Sequence, residues 1–191
     1  FCIRFLLVIY VMILCLGAGK TTLVGLLSGG KVVGKAGFKH DTVEISEYQT
    51  HTVTATTHGL EFISYSLMDT RGYMDAEYTP EMLLTDLVNY PRFHRSKVIV
   101  VIKQERLYRL QYDFLTQASK ALNGNLTVIL TFCDQTGVHD FQMLMRERHI
   151  GIADDGVLCY HLYESDKSST KEQIFDIINR SPFIDIQNLH D

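Results

Sequence analysis

The 191-residue chain has no tryptophan, three prolines and four cysteines. Cys2, Cys15, Cys133 and Cys159 are scattered, with no C-x-x-C pair and no matching histidine spacing. That argues against a zinc site or a disulfide framework, and for small core residues in a reducing compartment. None of the eight histidines forms an H-x-x-x-H pair. Basic residues are not in excess: Lys plus Arg is 18, Asp plus Glu is 22, and the net charge is -4. A strongly basic nucleic-acid binder is disfavoured. No Pro-rich linker, repeat or charge block breaks the chain, so it reads as a single domain over 1–191. Its core is expected over about 3–180, with a tail over 181–191. One apolar run is conspicuous, Phe5–Leu16 behind Arg4. A membrane span needs about 20 such residues, and this run meets Lys20 too soon. A buried first strand is the reading, with a membrane or export segment the alternative. What is present is ordinary globular composition, 46% hydrophobic and 21% charged.

Short apolar runs alternate with amphipathic stretches. Thr21–Leu27 reads as a helix stopped by Gly29-Gly30. Lys31–Tyr48 reads as a loop. Thr52–Thr57 and Leu60–Met68 read as two strands of a hairpin around His58-Gly59. Thr79-Pro80 starts a helix carrying Leu83, Leu84, Leu87 and Val88. Lys97–Ile102 is a buried-type strand, and Glu105–Leu122 an amphipathic helix closed by Gly124. Leu126–Cys133 is another apolar strand. A short helix around Phe141–Arg148 follows, with His139 and Asp140 as its cap. Val157–Tyr163 is the last strand. Ser169 and Glu172 form a capping box for a final helix. The alternation predicts an α/β fold with a mostly parallel sheet.

The chemistry-bearing residues lie at the ends of these strands. Gly17-Ala18-Gly19-Lys20-Thr21-Thr22 follows the first apolar run. In the pattern G-x-x-x-x-G-K-[ST], a Gly-rich turn aims backbone N–H groups at phosphate, and a helix N-terminus follows. Lys20 would reach the β- and γ-phosphates, and Thr21 would hold Mg²⁺. The pattern's first glycine falls on Leu14, which departs from it. Asp69-Thr70-Arg71-Gly72 ends another strand and fits D-x-x-G, with Asp69 towards Mg²⁺ and the Gly72 N–H towards the γ-phosphate. Thr131-Phe132-Cys133-Asp134 ends a third strand. It resembles the guanine-reading motif [NT]-K-x-D of GTPases, which implies that Asp134 would take the N1 and N2 hydrogens of guanine. Phe132, where a basic residue is usual, would stack on the base. Guanine is the expected base, and adenine or no preference the alternative.

These three motifs, in this order, resemble a translation-factor-class GTPase domain. The likeness is strongest to the GTPases of immunity-associated proteins and their avirulence-induced plant relatives. Thr52-Val53-Thr54 resembles that family's S-V-T segment, and Asp69–Gly72 its D-T-P-G. Phe93–Leu107 resembles its fourth strand and the following turn, and Val157–Tyr163 its Cys-bearing last strand. Septins and chloroplast-envelope GTPases are related possibilities. The resemblance implies a three-layer P-loop NTPase G domain binding GTP or GDP with Mg²⁺. It implies Thr54 as the switch threonine on Mg²⁺ and the γ-phosphate, with Thr52 the competing choice. It also implies switching segments at about 45–57 and 70–78.

Tyr73 stands where small GTPases have a water-orienting glutamine. The resemblance therefore implies slow GTP hydrolysis, or hydrolysis on nucleotide-dependent homodimerisation. It implies a cytoplasmic protein, with a membrane surface reached only through regions outside this sequence. The first alternative is a degenerate pseudo-GTPase acting as an interaction module. It is motivated by Leu14, Arg71, Phe132 and Tyr73. An ATP-using nucleotide kinase is a third reading, which the absence of an Arg-rich lid disfavours. The apolar opening is then too long for one strand. Ile3–Val8 is expected to be the strand and Ile9–Cys15 a surplus insertion, such as retained intron sequence.

Overall fold

The computed structural model describes residues 4–16, 20–30, 46–56, 59–69, 82, 85, 89, 96–103, 107, 109–121, 123–132, 135–160 and 167–183. The strands are β1 (Arg4–Leu16), β2 (Ser46–Thr56), β3 (Gly59–Asp69), β4 (Ser96–Lys103), β5 (Leu126–Thr131) and β6 (Ile152–Tyr160). The helices are α1 (Lys20–Leu27), α2 (Arg109–Ala121), α3 (Gln135–Glu147) and α4 (Lys167–Arg180). The strands form one sheet in the order β2-β3-β1-β4-β5-β6. Only the β2–β3 pair within it is antiparallel. The alternation legible in the sequence therefore yields the expected mostly parallel sheet.

β1 lies between β3 and β4, so the chain winds to one side of β1 and then crosses to the other. That reversal leaves a crevice beyond the carboxyl ends of β1 and β4, where open α/β sheets bind ligands. The sheet corrects the expectation for the first strand. All of Arg4–Leu16 is strand, and Tyr10–Ile13 pairs with both neighbours. Ile9–Cys15, expected to lie outside the strand, contains the part of β1 held on both sides. The Arg4–Val8 portion pairs with β3 alone.

Side chains alternate between two cores, as period 2 requires. Val98, Val100 and Ile102, with Val128 and Leu130, pack under Phe114, Leu115 and Ala118 of α2 and Phe141 and Met145 of α3. Ile99, Val101 and Ile129, with Tyr65 and Leu67, pack under Leu23, Val24 and Leu27 of α1 and Ile174, Phe175 and Ile178 of α4. Three layers result: helix, sheet, helix. Each fully buried large side chain contributes about 1.5–3 kcal/mol relative to exposure.

The helix stops follow a common rule. Gly30 N–H donates to Gly25 O at 2.8 Å and Gly29 N–H to Leu26 O at 3.2 Å. Gly124 N–H donates to Ser119 O at 2.8 Å, and Ile150 N–H to Met145 O at 2.9 Å. These are the paired bonds of a Schellman ending, with Gly29, Asn123 and His149 at positive φ. The glycines expected to close α1 and α2 sit in these endings.

Several boundaries differ from expectation. The hairpin is present, but β2 begins at Ser46 rather than Thr52, so Ser46–Tyr48 belongs to it and not to the preceding loop. The α3 helix starts at Gln135, which puts His139 and Asp140 inside it, exposed, and not at its cap. α4 starts at Lys167, so Ser169 and Glu172 lie within its first turns. The polar stretch before α4 offers several caps, and S-x-x-E alone does not rank them. β6 begins at Ile152, five residues earlier than expected, across a register shift. Met82, Thr85 and Asn89 are helical and exposed, in keeping with the helix expected after Pro80, while Leu83, Leu84, Leu87 and Val88 lie outside the described residues.

The amino-terminal edge of the sheet is tied to the end of α4. Lys97, near the start of β4, is buried, and its ammonium donates to Ile178 O at 2.8 Å and Asn179 O at 2.7 Å. These are carbonyls of the negative end of the helix dipole. Burial nonetheless pushes the Lys97 pKa down, from 10.5 to about 8. A base with a lowered folded-state pKa releases its proton first in the folded state. Between about pH 8 and 10.5 the unfolded chain then binds more protons, so stability rises with pH across that window. Urea midpoints measured on either side of the window are expected to show this rise in the wild type. Lys97→Met is expected to lose it.

Candidate functional site

The carboxyl ends of the strands gather the residues that the motifs single out. β1 ends at Leu16, and α1 opens at Lys20 and Thr21. Asp69 closes β3, is buried at 2% exposure, and is paired in register with Ile13 of β1. Thr131 closes β5 and is fully buried, with its hydroxyl donating to Ile102 O at 3.4 Å. Phe132 follows at once. Thr22 is exposed on the first turn of α1. Gly17, Ala18, Gly19, Gly72 and Asp134 lie outside the described residues, as do Tyr73 and the expected switch at 70–78.

The connection from β1 to α1 is short. Leu14 is paired with Val100 inside β1, so the position of the pattern's first glycine belongs to the strand. Cys15 and Leu16 are strand residues too, which leaves Gly17-Ala18-Gly19 between strand and helix. The pattern places four variable residues and a glycine between its first glycine and the lysine. Two of those five places are taken by β1 here.

The register also separates Thr54 from the rest. β2 runs antiparallel to β3, with Ser46 opposite Asp69 and Thr54 opposite Glu61. Eight strand residues then lie between the levels of Thr54 and Asp69, about 26 Å at 3.3 Å each. Thr54 cannot share a metal ion with Asp69, and Thr52, opposite Ile63, is also remote. The expected switch over 45–57 is corrected in the same way, since 46–56 is continuous strand. β2 begins beside Asp69, at Ser46, and the sequence that precedes it, 31–45, holds a single threonine, Thr42. The T-V-T likeness selects Thr54, whereas the antiparallel sense of the hairpin puts Ser46, not Thr54, level with Asp69.

Phe132 has φ 58, a left-handed conformation that is strained for a bulky residue. It is 38% exposed beyond the end of β5. Strain held at the mouth of a site is a pointer to function. The Lys103 ammonium, at the end of β4, lies 5.9 Å from the centre of its ring, within cation–π range. Lys103 escaped the sequence reading. Its signal is its place as the last residue of the apolar strand beside β1, at the reversal of strand order. A cavity of about 420 Å³ opens behind these residues, lined by Ile102, Lys103, Leu107, Leu130 and the α3 residues Gly137, Asp140, Phe141 and Leu144.

Asp69, at the end of β3, and Thr21, in the first turn of α1, are the oxygen-bearing residues that the motifs assign to a metal ion. Hard oxygen donors of this kind fit Mg²⁺, which is held by one or two protein groups beside phosphate. Among the described residues, no cluster of three His, Cys, Asp or Glu offers an alternative metal site.

No protein-family model and no curated protein matches the chain. Solved structures do. Era in complex with MgGDPNP and nucleotides 1506–1542 of 16S ribosomal RNA aligns with a TM-score of 0.63 and 16% identity, over 93% of this chain and 58% of that one. Roco2 RocCORdC of Methanosarcina barkeri bound to GDP aligns with a TM-score of 0.53 and 16% identity, over 94% of this chain and 51% of that one. The chain therefore spans little more than half the length of either. Identities this low show the fold alone. With the strand order and the strand–lysine–helix connection at its switch point, these likenesses show a three-layer α/β fold of the P-loop G-domain type.

Proposed function

We propose that the chain binds a guanine nucleotide with Mg²⁺ at the carboxyl ends of β1, β3 and β5. The observation that carries this reading is the register of β1 with β3. It puts the buried Asp69 carboxylate on the strand next to the one that feeds Lys20 into a helix N-terminus. Era was solved with MgGDPNP and Roco2 RocCORdC with GDP, which supports a guanine nucleotide here. The net charge of -4 does not favour the RNA that Era also holds.

In this reading Lys20 and the backbone N–H groups at the start of α1 hold the phosphates. Thr21 and Asp69 hold Mg²⁺, which when bound neutralises phosphate charge. Thr42 takes the switch role that the register denies to Thr54. Asp134 reads the base and Phe132 stacks on it, with Lys103 reinforcing that side of the site. Water is the acceptor for the phosphoryl group, and Tyr73 leaves that water without the usual amide side chain. Hydrolysis is then slow, or rises when a second copy completes the site, as in the GTPases of immunity-associated proteins.

The Gly17–Gly19 connection favours a second reading, a pseudo-GTPase that binds nucleotide weakly or not at all. Three residues supply fewer N–H groups to a phosphate than a full loop. Turnover of GTP measured against protein concentration separates the two: slow turnover that rises with concentration supports an enzyme. No turnover at any concentration supports the interaction module.

Phe132→Ala tests the base side of the site. Base–aromatic stacking is worth about 1–3 kcal/mol, so GTP affinity is expected to fall roughly 5- to 150-fold. An unchanged affinity in a fluorescence titration would place the base elsewhere.

A further inference from the structure

The two edges of the sheet are built differently. At one edge, β6 is out of step with β5: Leu126 faces Ile152, yet Val128 faces Val157. Five steps along β6 thus match two along β5, and Asp154-Asp155-Gly156 fall within that shift. Bulges and acidic residues at an edge are the devices that stop a strand from recruiting another. The other edge has no register shift, and Glu47 is its one acidic residue. β2 runs eleven residues from Ser46 to Thr56 in unbroken register with β3. It carries no proline, lysine or arginine, and it is rich in threonine, with valine and tyrosine. Among the described residues no strand pairs with its outer side. Its row of outward backbone N–H and C=O groups is a template for one more strand.

We propose that β2 is a self-association edge, at which two copies of this chain pair β2 to β2, antiparallel about a two-fold axis. The blocked β6 edge prevents β2 of one copy from adding to β6 of the next. Pairing is therefore isologous and closes at two copies instead of growing into a fibre. The sequence of the strand is self-compatible. With His51 on the axis, Thr50 faces Thr52 of the second copy, Tyr48 faces Thr54, and Glu47 faces Ala55. Threonine–threonine and aromatic–β-branched pairs favour such a seam. Its lone acidic residue, Glu47, meets no like charge. Glu47 is also engaged within its own copy, accepting from Gln49 at 2.9 Å and from Ser66. The seam is small, so the dimer is weak, with Kd in roughly the micromolar to tens-of-micromolar range. It needs no nucleotide, which separates it from association through the nucleotide site.

His51 is exposed, so charge placed there spares the fold. The test is sedimentation velocity on the whole chain without nucleotide. The wild type is expected to shift from monomer to dimer as concentration rises through Kd. His51→Lys and His51→Glu each set like charges face to face, and each is expected to weaken the dimer at least tenfold with its thermal melt unchanged. Mixing the two variants pairs opposite charges and is expected to restore a dimer. A wild type that stays monomeric up to a few hundred micromolar, well above the expected Kd, overturns the proposal and leaves the edge to a strand of another protein. Dimerisation that both variants retain overturns it as well.

Discussion

Replacing Lys20 with alanine is expected to weaken GTP binding at least about 30-fold. Lys20 stands at the first position of α1, directly after the strand that ends at Leu16 and the three residues that follow it. A lysine there meets phosphate oxygens together with the free N–H groups of the helix start. Truncating one partner of a desolvated, charge-assisted pair costs about 2–5 kcal/mol. Each 1.4 kcal/mol is a factor of about ten in affinity, so the expected loss is well above measurement error. Truncating a charged side chain at a helix start removes no apolar group from the core, so the thermal midpoint without nucleotide should barely move. A titration that finds equal GTP affinity in the two proteins would remove Lys20 from the site.

The largest expected loss of stability comes from a methyl group far from that site. Gly151, in the turn between α3 and β6, lies against Gly124, in the turn between α2 and β5. A Cβ on Gly151 would come within 3.0 Å of Gly124 O and 3.1 Å of Gly124 C, and nearer still to Gly124 Cα. All three are backbone atoms, so no side chain can swing aside. Ser119 already donates to Gly151 O at 2.9 Å, fixing the two turns to each other. Gly151→Ala must therefore displace the ends of both helices, at about 3 kcal/mol or more. At about 2–4 °C per kcal/mol for a chain of this length, the thermal midpoint should fall by roughly 6–12 °C. A change below about 2 °C would mean that the turns part easily, against this packing.

The sequence carried much of this fold because its signals are local. The K-V-I-V-V-I run of β4, the periodic apolar positions of α2 and the glycines after α1 and α2 each declare themselves within a short window. The strand ends that carry the motif residues Asp69 and Thr131, and the helix start at Lys20, were legible because each motif sits beside an apolar run. Legibility failed where position depends on pairing. Thr54 looks like a switch threonine in a window of three residues, and only the antiparallel register with Glu61 shows it to be remote. The first strand, expected over Ile3–Val8, was ended too early for the same reason. A strand's useful portion is set by its neighbours, and Tyr10–Ile13 pairs with both β3 and β4. Lys103 carries no motif at all, and it enters the account through its distance to Phe132.

On the proposed reading, this G-domain fold still binds a guanine nucleotide through a shortened connection between β1 and α1. Calorimetric titration of the whole chain with GTP and with ATP, each with Mg²⁺, tests it most directly. Binding of GTP at least about ten-fold tighter than ATP, a difference of about 1.4 kcal/mol, is the expected result. Equal affinity for the two, or no binding of either, would contradict it.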